Sequence, residues 1–189
     1  MEIAKIPANW TENPLPRQAE REDFKSSQFE LCFEKLLECT EDSRKTEELR
    51  QTPSMAAKAF SELTEGYGLN PHGILRNARL PLTVPYEGVI EIQDIPFMSL
   101  CEHMFLPFYG KAQIRYQPGQ YLAGAGAFES LIKAYAHRLQ LQENLTAQVA
   151  DTCFGILEPK WVQVQMEATH TCMKGQRLKT EVTRSLNNS

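Results

Sequence analysis

The chain has 189 residues, 42% hydrophobic and 23% charged, the balance of one folded domain of ordinary size with a terminal extension. Its 20 Lys and Arg against 24 Asp and Glu leave a net charge of −4, which argues against a protein built to coat nucleic acid or an anionic membrane. One small anionic substrate remains compatible with that charge. No apolar run approaches the roughly 18 residues of a membrane span, and the opening residues lack a signal-peptide core, so a cytoplasmic protein is expected. Five cysteines, an odd number spread through the chain, fit reduced thiols better than a disulfide framework.

Residues 1–26 are polar and proline-marked and read as an N-terminal arm. Residues 27–88 read as a helical region. A first helix is expected from Ser27, with Glu30 at capping-box spacing and a stripe of Phe29, Phe33, Leu36 and Leu37. Cys32 and Cys39 on that helix read as small core residues. Residues 40–51 are ambiguous. Thr52-Pro53 marks a second helix start, with Met55, Ala56, Ala59, Phe60 and Leu63 as its buried face and Gly66 as its end. A proline-marked loop through Pro71, Pro81 and Pro85 is expected next.

Residues 89–189 change to a sheet-rich pattern. Val89–Ile95 and Gly110–Tyr116 read as strands, the second alternating Ala112, Ile114 and Tyr116 against polar neighbours. Two helices follow, one carrying Phe128, Leu131, Ile132, Tyr135 and Leu139, the other Leu145, Val149, Ala150, Phe154 and Leu157. Val162, Val164, Met166 and Ala168 then return to period two, and a last strand covers Leu178–Thr183. The order strand-strand-helix-helix-strand-strand predicts an α+β layer, an antiparallel four-stranded sheet with both helices on one face.

Two tripeptides could carry chemistry, Cys101-Glu102-His103 and His170-Thr171-Cys172. In extended backbone residues i and i+2 share a face, so each piece can aim a sulfur and a nitrogen into one space. Thiolate and imidazole are zinc ligands, while buried cysteines and lone histidines are also ordinary core residues. Glu143, beside Gln142, can accept two N–H bonds from an amidine-like edge such as that of guanine or a pterin, or can belong to an exposed helix junction. Gly124-Ala125-Gly126 has neither a dinucleotide nor a Walker pattern and reads as a flexible turn.

Taken together, these residues resemble the GTP cyclohydrolase I family. The likeness runs from Thr52-Pro53 and Ala57-Lys58-Ala59-Phe60, through Gly66-Tyr67, to the specific segment Ser99-Leu100-Cys101-Glu102-His103. It continues through Pro107-Phe108-Tyr109-Gly110, Gln140-Leu141-Gln142-Glu143-Asn144-Leu145-Thr146 and Glu167-Ala168-Thr169-His170-Thr171-Cys172-Met173. The resemblance implies the tunnelling fold and a homo-oligomer of rings, typically two stacked pentamers forming a decamer. It implies zinc held by Cys101 and Cys172, proton transfer by His103 and His170, and a purine or pterin ring gripped by Gln142 and Glu143. The family's reaction is a hydrolytic opening of the purine imidazole ring at C8.

The departures from the family pattern fall in its functional parts. Met104 stands where the family has a third zinc ligand, a histidine, and a neutral thioether is a poor zinc ligand. The triphosphate-binding Gly-Leu-Ser-Lys is here Gly124-Ala125-Gly126-Ala127, the arginine shortly after it is Ser130, and a later arginine is Gln176, beside Arg177. The expected function is a divergent enzyme of this type acting on a guanine- or pterin-type ring without a triphosphate. The alternatives are a catalytically silent relative that binds a ring or regulates an active partner, and an enzyme using Cys101 as nucleophile.

Overall fold

A computed structural model describes residues 18–40 and 49–186, with side chains of the first segment from Ser27 onward. The fold divides between Ser61 and Glu62 into two compact units. The expected arm is helical from Gln18, because α1 spans Gln18–Glu38 and residues 1–17 lie outside the described ones. Ser27 therefore sits inside a helix and does not start one. The run before it, rich in Glu, Gln, Ala, Arg and Lys and free of Gly and Pro, propagates helix through the apparent start signal. Phe29 and Phe33 meet Phe60 of α2 (Thr52–Leu63) edge to face, at 4.9 and 6.1 Å between ring centroids. Leu36, Met55, Cys32 and Cys39 are exposed, contrary to their expected burial. The buried face of α2 is instead Pro53, Ala57 and half-buried Phe60, at helical spacing.

In the second unit, a 3-10 turn at Glu65–Gly68 leads to α3 (Pro71–Ala78) in place of the expected loop. Asn70 caps α3 by accepting from the Gly73 N–H at 3.0 Å, and Pro71 takes the first helical position. Gly66 does not end a helix. A side chain there would meet the carbonyls of Ala134 and His137 at 2.5 and 2.6 Å.

The main sheet has five strands in the order β5-β2-β3-β6-β7, with a separate antiparallel pair of β1 (Arg79–Pro81) and β4 (Tyr121–Ala123). Strands β2 (Ile90–Cys101), β3 (Pro107–Gln117), β6 (Trp161–His170) and β7 (Gln176–Ser185) form the expected antiparallel set. The added edge strand β5 (Leu139–Gln140) runs parallel to Leu100–Cys101, so Leu139 pairs in the sheet and is not part of a helix. Helices α4 (Ala125–Ala136) and α5 (Gln142–Leu157) pack on the face carrying Val162, Val164, Met166 and Ala168. The core includes Phe128, Leu131, Ile132, Leu145 and Tyr116, and each large apolar side chain removed from water contributes about 1.5–3 kcal/mol. The other face of β6, with Gln163, Gln165 and Glu167, is open and polar. Among the described residues no helix is long and apolar enough to cross a membrane.

Gly110 in β3 faces Ala168 of β6 so closely that a Cβ would lie 1.9 Å from the Glu167 carbonyl oxygen and 2.6 Å from the Ala168 Cα. Both atoms are backbone, so relief requires moving a central strand. Gly110→Ala is expected to lower stability by ~3 kcal/mol, read as a lower denaturation midpoint at unchanged slope.

Candidate functional site

Antiparallel pairing of β3 with both β2 and β6 places the C-terminal ends of β2 and β6 at one edge of the sheet, on either side of Phe108. Phe108 is in register with Ser99 on one side and His170 on the other. The parallel pairing of β5 with Leu100–Cys101 delivers the start of α5, and thus Gln142 and Glu143, to the same edge. Four stretches distant in sequence therefore converge.

Cys101 ends β2, buried, and its N–H donates to the Leu106 carbonyl at 2.9 Å across the following turn. That turn removes the extended geometry expected of Cys101-Glu102-His103. His103 lies in it, exposed, so the sharing of one face with Cys101 is not realised. His170 and Cys172 do meet, with Nδ1 of the imidazole 3.9 Å from Sγ, although Cys172 belongs to a 3-10 turn, Thr171–Met173, rather than to a strand. The Cys172 thiol also interacts electrostatically with Cys101, so the two cysteines lie near each other. Burial raises the Cys172 thiol above its ordinary pKa, and Cys101 pushes the same way.

The His170 ring lies flat on Phe108, with centroids 4.6 Å apart and planes 5° from parallel. Its Nε2 is 2.7 Å from Oε1 of Gln142. Burial lowers the His170 pKa by disfavouring the cation, and the negative charge of Glu143 opposes that shift. Gln142, only 1% exposed, presents the two hydrogens of Nε2 to the carbonyls of Met166 and Leu178 at 3.1 and 3.0 Å, and the same nitrogen lies 3.1 Å from Thr180 Oγ1, which shares one of them. Its amide is thus spent inside the chain. Glu143, the next residue, is exposed in the first turn of α5. Phe108 and Thr146 lie within the segments that carry the resemblance but have no role assigned there, and Thr180 lies outside those segments. The Gln142-to-Thr146 spacing of one helical turn was the available signal for Thr146.

The thiol pair is the part of the site that fits zinc, since sulfur donors suit it. The donor count falls one short of a three-ligand centre. Among the described residues no group of three His, Cys, Asp or Glu side chains converges as metal ligands, and Met104 is 57% exposed. At the start of α4, residues 124–130 contain no Lys or Arg, and the Ser130 hydroxyl donates to Gly126 O at 2.9 Å. A groove of ≈ 310 Å³ lined by Tyr109, Lys111, Glu167, Thr169 and Arg177 opens on the sheet face away from His170. Its residues alternate with the buried ones along β3 and β6, so it is not the place where the cluster opens.

The family model for GTP cyclohydrolase I matches residues 29–187. The chain belongs to the GTP cyclohydrolase I family. It is 42% identical over 128 residues to GTP cyclohydrolase 1 of Bacteroides thetaiotaomicron, covering 68% of this chain and 64% of the relative. It is 37% identical over 148 residues to the enzyme of that name from Porphyromonas gingivalis, covering 78% and 76%. It is 31% identical over 188 residues to that from Chlorobium chlorochromatii, covering 92% and 83%. The match spans just under two thirds of the length of the Bacteroides relatives. Among solved structures, an apo archaeosine synthase QueF-like protein matches 50% of this chain and 91% of its own, at 15% identity and a TM-score of 0.46.

The cysteines differ enough to be told apart by alkylation. Burial pushes the Cys153 thiol up to about 12, whereas Cys32 and Cys39 are exposed. Against an ordinary thiol of 9.0, that leaves a roughly 1,000-fold smaller thiolate fraction. Iodoacetamide at neutral pH is expected to label Cys32 and Cys39 and to spare Cys153 until the chain is unfolded, as read by peptide mass spectrometry. Equal labelling of Cys153 and Cys32 in folded protein would contradict the assignment.

Proposed function

We propose that this GTP cyclohydrolase I family member is a divergent hydrolytic enzyme that binds a guanine- or pterin-type ring lacking the triphosphate. The observation that carries it is a contrast between the two ends of the expected substrate path. At the end this reading assigns to the ring, His170 lies beside Cys172 and feels the charge of Glu143. At the triphosphate end, residues 124–130 supply no cation, and Ser130 spends its hydroxyl on its own helix. Each charge-assisted phosphate contact is worth about 1.5–3 kcal/mol, so the loss of several weakens triphosphate recognition by orders of magnitude.

In this reading Glu143 accepts two N–H bonds from the ring's amidine edge, and its exposed place at the start of α5 leaves it open to a ligand. His170 moves the proton at the reacting carbon, with His103 as the second proton-transfer group on the neighbouring turn. Gln142 serves the ring through His170. Cys101 and Cys172 are the residues that would hold zinc, more weakly than a three-ligand set; the chemistry such an ion supplies is activation of water. The proposal also takes the chain as a cytoplasmic homo-oligomer of pentameric rings, a decamer in the pattern the resemblance implies, with neither nucleic acid nor membrane as partner. A silent, ring-binding or regulatory role is the second reading, favoured by the same missing cations together with Met104.

Incubation of the pure protein with GTP, GMP, guanosine, guanine and reduced pterins is expected to give a new absorbance and mass from a substrate without the triphosphate. Efficient conversion of GTP would overturn the phosphate-end reasoning, and conversion of none would establish the silent reading. Glu143→Gln is expected to weaken binding of the converted substrate roughly 10–100-fold.

Metal content gives an independent check. After mild chelation the parent is expected to lose its zinc, and Met104→His to retain it. Full zinc in the chelated parent, unchanged in Met104→His, would contradict a weakened site.

A further inference from the structure

Hydrogen-bond directions around Gln142 follow from partners that can act in one way only. The carbonyls of Met166 and Leu178 accept and cannot donate, so the terminal atom 3.1 and 3.0 Å from them is the amide nitrogen. The opposite terminal atom is therefore the oxygen, and it faces Nε2 of His170 at 2.7 Å. An amide oxygen only accepts, so Nε2 carries the hydrogen.

A second chain of reasoning reaches the same orientation. The Gln142 main-chain carbonyl only accepts, so the Thr146 hydroxyl donates to it at 2.7 Å. Thr146 has then used its hydrogen, and the 2.6 Å contact with Thr180 is a donation from Thr180 to Thr146. Thr180 has in turn used its own, so its 3.1 Å contact with the Gln142 side chain needs an N–H on the Gln142 side, shared with one of the two carbonyls. Reversing the amide would set an oxygen against three acceptors within a buried site.

A neutral imidazole with hydrogen on Nε2 has its lone pair on Nδ1. In His170 that nitrogen faces Cys172 Sγ at 3.9 Å, and Cys101 acts electrostatically on the same thiol. The stack on Phe108 sets the plane of the ring but not which edge faces the thiols. The amide supplies that choice. We propose that Gln142 is a positioning residue that holds His170 in the Nε2–H tautomer, so that Nδ1, aimed at the Cys172–Cys101 pair, is its working nitrogen. The side chain of Gln142, with its hydrogens and its oxygen already engaged, is not a contact for a ring edge. Its bearing on catalysis rests on the function proposed above; the tautomer does not, and it is measured without a ligand.

The test is nitrogen-15 solid-state NMR of the full chain labelled at histidine, near pH 8.5, about two units above the ordinary imidazole value of ~6.5. The chain has 4 histidines, and the His170 signal is identified by its loss in His170→Asn. The hydrogen-bearing nitrogen of His170 is expected to correlate with Cδ2, which marks it as Nε2. Gln142→Met, similar in length and without an acceptor, is expected to release this preference into a mixture of tautomers. Thr180→Val, which leaves the amide oxygen in place, is expected to retain it. Hydrogen on Nδ1 in the parent protein would overturn the proposal, whether or not the variants fold. So would an undisturbed Nε2–H signal in a folded Gln142→Met.

Discussion

The buried amide of Gln142 is the contact on which the rest of this end of the molecule depends. It ties the first residue of α5 to main-chain oxygens of two different strands, β6 and β7, and to His170 at the end of β6. A buried polar group left without partners costs about 1–3 kcal/mol, so the amide admits few alternative placements of the helix start. Successive residues of a helix are rotated by about 100°. With Gln142 turned inward, Glu143 is turned outward, and a buried organising group sits beside an exposed carboxylate without any loop between them.

The sheet supplies the second constraint. β3 is the shared partner of β2 and β6, and its Phe108 side chain is the surface against which His170 is laid. Cys101 and Cys172 come near each other because the two strands flanking β3 end at the same edge. The hydrogen-bond chain from Thr180 through Thr146 and Gln142 then stiffens the contact between α5 and β7. Polar networks of this kind are stabilising only when every member is satisfied, and here the direction of each contact is fixed, with three acceptors sharing the two hydrogens of Gln142 Nε2.

Strand and helix order was legible because it rests on long periodic runs. Val162, Val164, Met166 and Ala168 alternate cleanly, and with His170 they are the buried residues of β6. Short elements were not legible. β5 has two residues and exists because Leu139 and Gln140 lie against Leu100 and Cys101, a tertiary fact without a local signature. α3 did carry a signal, the capping Asn70 before Pro71, but prolines nearby outweighed it. At the site, His170 and Cys172 meet, whereas Cys101 and His103 do not share one face because a turn replaces the assumed strand. The burial of Gln142 was hidden for a different reason. A glutamine at a helix start is ordinarily solvated, and only the carbonyls of Met166 and Leu178 make burial favourable.

The parity of β7 decides whether Arg177 can take over from an arginine missing at Gln176. Side chains alternate faces along a strand, and Gln176 is in register with His170 while Arg177 is in register with Thr169. His170 lies on the helix-covered face with Ala168 and Met166, so Gln176 shares the parity of the cluster and Arg177 does not. Arg177 instead lines the open-face groove with Lys111, its guanidinium 3.5 Å from the Glu167 carboxylate. Bringing it to the other face would require a one-residue slip of β7. That slip would carry Leu178, Thr180 and Val182 off the α5 side and break the bonds of Thr180 and Leu178 to Gln142. One position of displacement therefore keeps the Arg177 guanidinium on the open face, and the packing that fixes His170 is what holds it there.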